Sequence, residues 1–528
     1  MWTTGWREQI WSKLNQAWDI PSWDIIVIGG GITGAGILRE ATRAGLKALL
    51  VEGHDFASGT SSRSSKMVHG GLRYLRNAQI KLTVESVHER ERLLREGHGL
   101  IEPLGFLIAS YQGDRPAIWE FGLGLTIYDV LGRKWAHTRY TATQLLELCP
   151  HLTESKLVGG YRYVDAQTDD ARLVLRVIRE AVREGGTALN YCNVEGLLRT
   201  HSGQVQGVQL RDQVTGKTQE VHAAVVINAA GAWADRLRAH LKAEPRLRPL
   251  RGSHLIVPWS RLPLTQTVNF LHPIDQRPVF AFPWEGVTLI GTTDVDHGMH
   301  VETDPHMSEL ELDYLLMGAT YAFRPAHLTI DDVQATFSGI RPVVDTGQAD
   351  PSKESREAVL WDENGLLTIA GGKLTTFRLM AHEALRAVRK RLPHQPRLDT
   401  RQRVLDEVDT ALIADLDPGV ALRLYGRYGV DTPQLVAAAQ ASECAPIDES
   451  LALWAEIRWA ARAEGVVHLD DLLLRRVRLG LLLPQGGLPY LDRIRAIAQP
   501  ELGWSDERWE QEAGDYTQLW NRCYKVIH

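Results

Sequence analysis

The stretch DIIVIGGGITGAGILREATRAGLKALLVE, residues 24–52, decides how the chain begins to fold. DIIVIG is a short apolar run that ends in glycine. ILREATRAG follows at helical spacing, and LKALLVE returns as a second apolar run. Strand, tight turn, helix and strand in that order form a βαβ unit, whose crossover requires a parallel sheet. Gly29, Gly31 and Gly34 sit at G-x-G-x-x-G spacing between the strand and the helix. The first glycine permits the turn, the second clears space for a pyrophosphate, and the third lets helix and strand pack closely. The helix N-terminus then offers unpaired N–H groups to phosphate oxygens. Glu52 ends the second strand 18 residues after Gly34, where a carboxylate can accept hydrogen bonds from ribose hydroxyls. Together these features predict dinucleotide binding.

FAD fits the rest of the chain better than NAD. The first unit runs directly into GHDFASGTSSRSSKMVHGG, a polar segment rich in glycine and serine. Two distant strand–glycine segments, VINAAGAWA at 226–234 and TIAGGKLTT at 368–376, can return the chain to the same ligand. A ligand reached from three separated segments is a long one. In GGKLTTF, 371–377, Thr375 or Thr376 is placed to cap the following helix. The positive end of that helix, with Lys373 beside it, would favour an electron-accepting pyrimidine ring.

With 528 residues, the chain is too long for one ordinary core. A net charge of −6 excludes a global basic field for nucleic acid. The four cysteines are scattered with no C-x-x-C pair, so neither a metal site nor a redox dithiol is expected. No apolar run reaches the ~18–20 residues that span a bilayer. The opening MWTTGWREQIWSKLNQAWDI carries Trp2, Trp6, Trp11 and Trp18 with Ile10 and Leu14. Two readings stay open for it: a helix packed on its own domain or subunit, or an amphipathic helix at a membrane interface. Residues 400–528 are almost wholly helical in pattern.

Beyond these physical signals, the chain resembles the FAD-dependent, quinone-linked glycerol-3-phosphate dehydrogenases. The resemblance runs through VIGGGITGAG and VEGHDFASGTSSRSSKMVHGGLRYL, then VDAQTDDARLVL, INAAGAWAD, RGSHLIVP, LIGTTDVD, SGIRPVV, AGGKLTTFR and AEGVVHLDDLLLRRVRLG, in order over nearly the whole length. It implies an α/β plus α fold: a Rossmann-like FAD-binding domain, an interleaved antiparallel-sheet substrate domain and a C-terminal helical domain. The expected division is an N-terminal helix at 1–20, FAD-binding parts at 21–80, 163–235 and 351–395, substrate parts at 81–162 and 236–350, and the helical domain at 400–528. The implied reaction is oxidation of sn-glycerol 3-phosphate to dihydroxyacetone phosphate by hydride transfer to FAD, with electrons passed to membrane quinone. A cytoplasmic enzyme lying peripherally on the membrane follows from that reaction, with a homodimer left open.

Site residues follow by the same resemblance. FAD contacts are expected at Gly29, Gly31, Gly34, Glu52, Thr60, Ser61, Ser62, Gly70, Gly71, Ala230, Gly231, Gly372, Lys373, Leu374 and Thr375. Arg73, Tyr74, Arg341, Arg356 and Lys373 would hold the substrate phosphate, because charge-assisted hydrogen bonds suit a dianion. His254 is the preferred general base, with Arg341 holding the developing oxyanion. These two roles stay exchangeable, and His69 is a third contender. Asp294 reads as an organiser of backbone. Arg251 replaces a lysine of the family pattern, and Glu357 an aspartate. An oxidase that passes electrons to oxygen, an amine or amino-acid oxidase of the same flavin fold, and a non-catalytic flavin-binding membrane scaffold are the alternatives.

Overall fold

The computed structural model describes residues 2–3, 5–14, 23–72, 79–132, 135–298, 301–348, 354, 357–408 and 416–527. The βαβ unit read from the opening stretch is present. Trp23–Ile28 lies between Ala48–Val51 and Thr218–Asn228, parallel to both, with Ile25 opposite Ala48 and Val225. Thr187–Leu189 and Leu366–Ala370 extend the parallel set on either side, and Val359–Glu363 closes one edge antiparallel. A purely parallel centre must be covered on both faces. The helices Ile32–Arg43, Asp170–Arg183 and Phe377–Val388 bury Ile37, Leu38, Val174, Ile178 and Leu385 on one side. Strands Cys192–Arg199 and Val205–Asp212 and the N-terminal helix Trp6–Leu14 contribute to the apolar layer on the other.

The chain leaves this layer twice to build a second, mostly antiparallel sheet. Leu157–Thr168 pairs with Ile101–Tyr111, and Leu247–Pro258 pairs with Val287–Gly291 and Ala335–Val344. Ile101–Tyr111 and Thr267–Leu271 are the parallel pair that joins the two halves. This is the interleaved arrangement expected. The helices beyond residue 416 share one hydrophobic core with that sheet: Leu472, Leu473, Trp509 and Trp520 cluster with Ile256, Phe282, Trp284 and Phe337.

The N-terminal tryptophans pack inward. Trp2, Trp11 and Leu14 are buried. Trp2 stacks on Phe56 with centroids 5.0 Å apart, and Arg7 donates to Asn190 Oδ1 at 3.0 Å. Of the two readings of this segment, the described part takes packing on its own domain. Trp18 lies outside the described residues.

Buried ion pairs lock the helical region onto the parallel-sheet layer. Asp55, wholly buried, accepts Arg475 at 2.5 Å and Arg476 at 2.6 Å. The two guanidinium groups overcome the cost of burial and hold its carboxyl down at about 2. Removing one member of such a network leaves charge unpaired in the interior. Asp55→Ala should therefore lose about 3–5 kcal/mol of stability, read as a lower urea midpoint with both arginines left in place.

Candidate functional site

A cleft of ≈ 1400 Å³, counting its open mouth, lies at the C-terminal ends of the parallel strands, where ligands bind in open α/β sheets. Gly29 has φ +113°, and a Cβ there would sit 2.5 Å from the Ala229 carbonyl oxygen. A Cβ on Gly34 would fall 1.9 Å from the Gly29 oxygen, so both positions exclude any side chain. The Ile32–Arg43 helix opens at Gly31 without a capping side chain of its own residue. Ile32 N–H donates instead to Ser61 Oγ at 3.0 Å. Glu52 accepts Gly30 N–H at 2.6 Å and His54 N–H at 2.8 Å. Burial pushes its carboxyl above the ordinary range, against the pull of these two donors.

From Glu52 and Cys192–Val194 the cleft runs past Gly31, Thr60 and Ser61 to Ala230, Gly231, Gly372, Lys373 and Leu374. Gly34, Ser62, Gly70, Gly71 and Thr375 are not among its lining residues. Gly34 acts through packing, as its spacing predicts. Ser62 is buried below the cleft, where its carbonyl accepts Lys66 Nζ at 3.1 Å and Arg478 Nη2 at 2.7 Å. Gly70 leaves no room for a side chain: a Cβ there would be 2.1 Å from the Tyr128 hydroxyl. Its N–H donates to Asp165 at 3.2 Å, and Tyr128 donates to the same carboxylate oxygen at 2.9 Å. Neither Thr375 nor Thr376 caps the Phe377–Val388 helix with its side chain. Thr375 Oγ1 donates to the His69 carbonyl and accepts the His69 N–H, both at 3.2 Å. That reciprocal pair ties the HGG loop to the GGKLTT turn.

Beside the cleft lies a group of titratable side chains. Pro342 lines the cleft and Thr60 Oγ1 donates to the Ile340 carbonyl, so Arg341 stands on a strand bordering it. Arg341 donates to Asp294 at 2.8 Å and to Thr292 Oγ1 at 3.1 Å. Asp294 thus holds the Arg341 side chain, and it also faces Arg277 at 3.4 Å. His254 is 1% exposed and stacks on Phe337, 4.6 Å between centroids and 5° between planes. Its Nε2 is 2.9 Å from Ser65 Oγ. Its Nδ1 has no hydrogen-bond partner among the described residues. Burial, then the positive charges of Arg341 and Lys66, hold its pKa well below the ordinary histidine value. The imidazole is therefore neutral at pH 7.

Lys66 is wholly buried, 3.0 Å from Asp170, and burial with Arg478 nearby lowers it to about 8. Asp170 also accepts Ser64 N–H at 2.9 Å and Ser64 Oγ at 2.7 Å. Sequence reasoning missed Ser65, Lys66 and Asp170 as site residues. The available signal was the acidic pair Asp169–Asp170 opening a strongly amphipathic helix, which reads as capping alone. Arg73, Tyr74 and Arg356 lie outside the described residues.

Comparison with known proteins agrees with this geometry. Residues 24–378 match the FAD dependent oxidoreductase family, and 369–509 match the C-terminal domain of alpha-glycerophosphate oxidase. The aerobic glycerol-3-phosphate dehydrogenase of Staphylococcus haemolyticus is 35% identical over 481 residues, 86% of each chain. That of Staphylococcus aureus is 34% identical over 92% of each chain. The chain belongs to the FAD-dependent glycerol-3-phosphate dehydrogenase family. The solved glycerol-3-phosphate dehydrogenase of Bacillus halodurans, complexed with FAD, superposes with a TM-score of 0.79 at 28% identity, covering 99% of this chain and 98% of that one. L-alpha-glycerophosphate oxidase of Mycoplasma pneumoniae shares the fold, with a TM-score of 0.59 at 18% identity over 73% of this chain and 99% of that one.

FAD is the cofactor of this family member, and the cleft suits it. Its glycine backbone leaves room at the turn, a helix N-terminus faces it, and a carboxylate stands at the far end of the second strand. Gly34→Val should abolish flavin retention by driving the helix off Gly29. The check is visible flavin absorbance relative to protein absorbance in the purified enzyme, expected to fall to background.

Proposed function

We propose that the protein oxidises sn-glycerol 3-phosphate to dihydroxyacetone phosphate and passes the electrons to membrane quinone. The names of its relatives and the FAD-type cleft support the substrate and the redox chemistry. The observation that carries the mechanism is the neutral, enclosed His254 with Nε2 at 2.9 Å from the hydroxyl of Ser65. A base at 1% exposure reaches bulk solvent poorly, whereas Ser65 is only partly buried. On this reading Ser65 stands between substrate and base. FAD, when bound, would supply the hydride acceptor for C2. The C2 hydroxyl proton passes to Ser65 Oγ as Ser65 gives its own to His254 Nε2, and the carbonyl forms. Arg341, fixed by Asp294 and Thr292, supplies positive charge for the oxygen. A guanidinium already paired with a carboxylate suits that role better than the role of base. His69, whose backbone is tied to Thr375, positions the loop.

Cofactor binding follows the cleft. Glu52 would hold the ribose hydroxyls of FAD, and Gly31, Thr60 and Ser61 would receive its pyrophosphate. Ala230, Gly231, Gly372, Lys373 and Leu374 would hold its flavin end. Arg73, Tyr74 and Arg356, with Lys373 and Arg341, hold the substrate phosphate. The protein works at the cytoplasmic face of the membrane as a peripheral enzyme. No helix among the described residues is long and apolar enough to cross a membrane.

His254→Asn should lower kcat by about 10²–10⁴-fold, the usual contribution of a positioned base. Ser65→Ala should lower kcat by a smaller factor with little change in KM or flavin content. Because the folded-state pKa of His254 is depressed, the acid limb of the kcat/KM profile should lie below the ordinary histidine range. A limb near the ordinary value, or a Ser65→Ala enzyme with unchanged kcat, would remove this relay.

Oxygen as acceptor is the second reading, favoured by the match of residues 369–509 to an oxidase domain. Turnover with glycerol 3-phosphate in the presence of a quinone analogue, compared with oxygen alone, separates them. The quinone-linked reading expects rapid quinone reduction and slow peroxide release. Peroxide formed at the full turnover rate would reverse the assignment.

A further inference from the structure

His254 and Arg341 stand on neighbouring antiparallel strands, and Asp294 follows the end of a third. Along Leu247–Pro258, Leu255 and Val257 join the core that also holds Leu312 and Leu315 of the helix Glu309–Ala322. Ile256 joins the core of the opposite face, together with Phe337. Side chains alternate along a strand, so Ser253 faces the helix and His254 faces away from it. Glu311 lies in the first turn of that helix and is 4% exposed.

The two carboxylate oxygens of Glu311 have separate partners. Oε2 accepts the Ser308 N–H at 3.1 Å, the Ser308 hydroxyl at 2.8 Å and Arg251 Nη2 at 2.6 Å. The first of these is the back-bond of a capping box, which accounts for an acid at this position. Oε1 has no part in the cap. It accepts the Ser253 hydroxyl at 2.8 Å and the Thr293 hydroxyl at 2.7 Å. Burial would raise the carboxyl, but the Thr293, Ser308 and Arg251 donors outweigh it and hold the group below its ordinary range. An ionised carboxylate only accepts, so both hydroxyls must donate to it. Ser253 Oγ is then left to accept from Ser338 Oγ at 2.7 Å, and Thr293 Oγ1 to accept the Ser253 N–H at 2.9 Å. One buried charge thus sets the direction of every hydroxyl in the network.

Each of these groups adjoins a member of the site. Ser253 precedes His254 in the chain. Thr293 lies between Thr292 and Asp294, the two residues that hold Arg341. Ser338 sits opposite Ser253 in the ladder, on the strand that carries Arg341. Three segments that must agree in position for the reaction therefore meet behind the sheet at Glu311.

We propose that Glu311 is a positioning residue for the reaction, its Oε1 holding the His254 strand and the Arg341-binding turn in fixed relation from the opposite face of the sheet. This rests on the roles given to His254 and Arg341 above. Glu311 is not among the residues that line the cleft, and it acts through Ser253 and Thr293. A shift of about 1 Å between reacting groups can cost about 10²-fold in rate.

The test is the rate at which glycerol 3-phosphate reduces the flavin of the holoenzyme without oxygen, a step that needs no electron acceptor. Glu311→Gln keeps the side-chain size but removes the charge and sets an amide NH2 against hydrogen-bond donors. Its limiting rate should fall more than about tenfold, with flavin content and half-saturating substrate within about twofold of wild type. Thr293→Val should show the same split at nearly constant volume, and Thr293→Ser should restore the rate to within about threefold of wild type. Ser308→Ala weakens the cap and leaves the Oε1 bonds in place, so it should lower Tm with the limiting rate within about twofold of wild type. Glu311→Gln that reduces flavin at the wild-type rate, or Ser308→Ala that loses as much rate as Glu311→Gln, returns Glu311 to capping alone and leaves the roles of His254 and Arg341 standing. Should Glu311→Gln fail to fold, equal rates in Thr293→Val and Thr293→Ser overturn the proposal. His254→Asn that reduces flavin at the wild-type rate overturns the role of His254, and the positioning role with it.

Discussion

The buried pair of Lys66 with Asp170 organises everything around the site. Ser61 meets the helix N-terminus, Ser64 lines the cofactor cleft, and Ser65 meets His254. These serines belong to one short loop, which by itself has no reason to hold a single conformation. Lys66 fixes its end, with Nζ on Asp170 and on the Ser62 carbonyl. Asp170 takes Ser64 twice more. Burying an ammonium and a carboxylate costs more than their attraction returns unless the remaining donors and acceptors are satisfied. Here those further bonds are the ones that shape the loop. The Lys66 ammonium also lies 4.8 Å from the Trp284 ring centre and 4.9 Å from that of Phe337, and Phe337 is the ring on which His254 stacks. One ion pair thereby couples the cofactor cleft to the proposed base.

The helical C-terminal region enters the same network. Arg478 donates to Ser62, the carbonyl that also receives Lys66, and approaches Asp170 within 3.4 Å. Arg427 reaches Asp169 at 2.8 Å, and Arg172 pairs with Glu464 with both partners wholly buried. These contacts give chemical purpose to a region in which sequence reading found none. Its arginines neutralise acids at the start of the Asp170–Arg183 helix, next to the cofactor loop. A region that supplies counter-charges to the site cannot be removed without leaving buried carboxylates exposed to one another.

What the sequence made legible was what depends on local geometry. The G-x-G-x-x-G turn, the parallel strands and the acid at the end of the second strand each follow from residues close together in the chain, and the structure shows them where spacing puts them. Features that depend on distant partners were harder to read. Thr375 looked like a cap because it precedes a helix, yet its hydroxyl is used by His69, 306 positions away. The Tyr128 hydroxyl fills the space that a side chain on Gly70 would need, a constraint that local sequence does not carry. The N-terminal tryptophans left packing and membrane contact both open, and Phe56 and the Trp2–Glu464 bridge receive the first of them. Local pattern gives an amphipathic face without saying whether protein or lipid will cover it.

The electrostatics of His254 show why its surroundings matter more than its identity. Two cations act on it, and its exposure is almost nil. Both effects disfavour imidazolium, so the ring is ready to accept a proton and reluctant to keep it. A base of that kind works only while a proton arrives in step with the departure of hydride, and returns it afterwards. The Ser65 hydroxyl provides the path in both directions because it can donate and accept at one atom. Alanine at that position would leave Nε2 as enclosed and unpartnered as Nδ1. Threonine would keep the hydroxyl but add a methyl group in a loop already fixed by Lys66 and Asp170, so it should restore only part of the turnover. The extent of that rescue separates loss of the proton path from loss of packing.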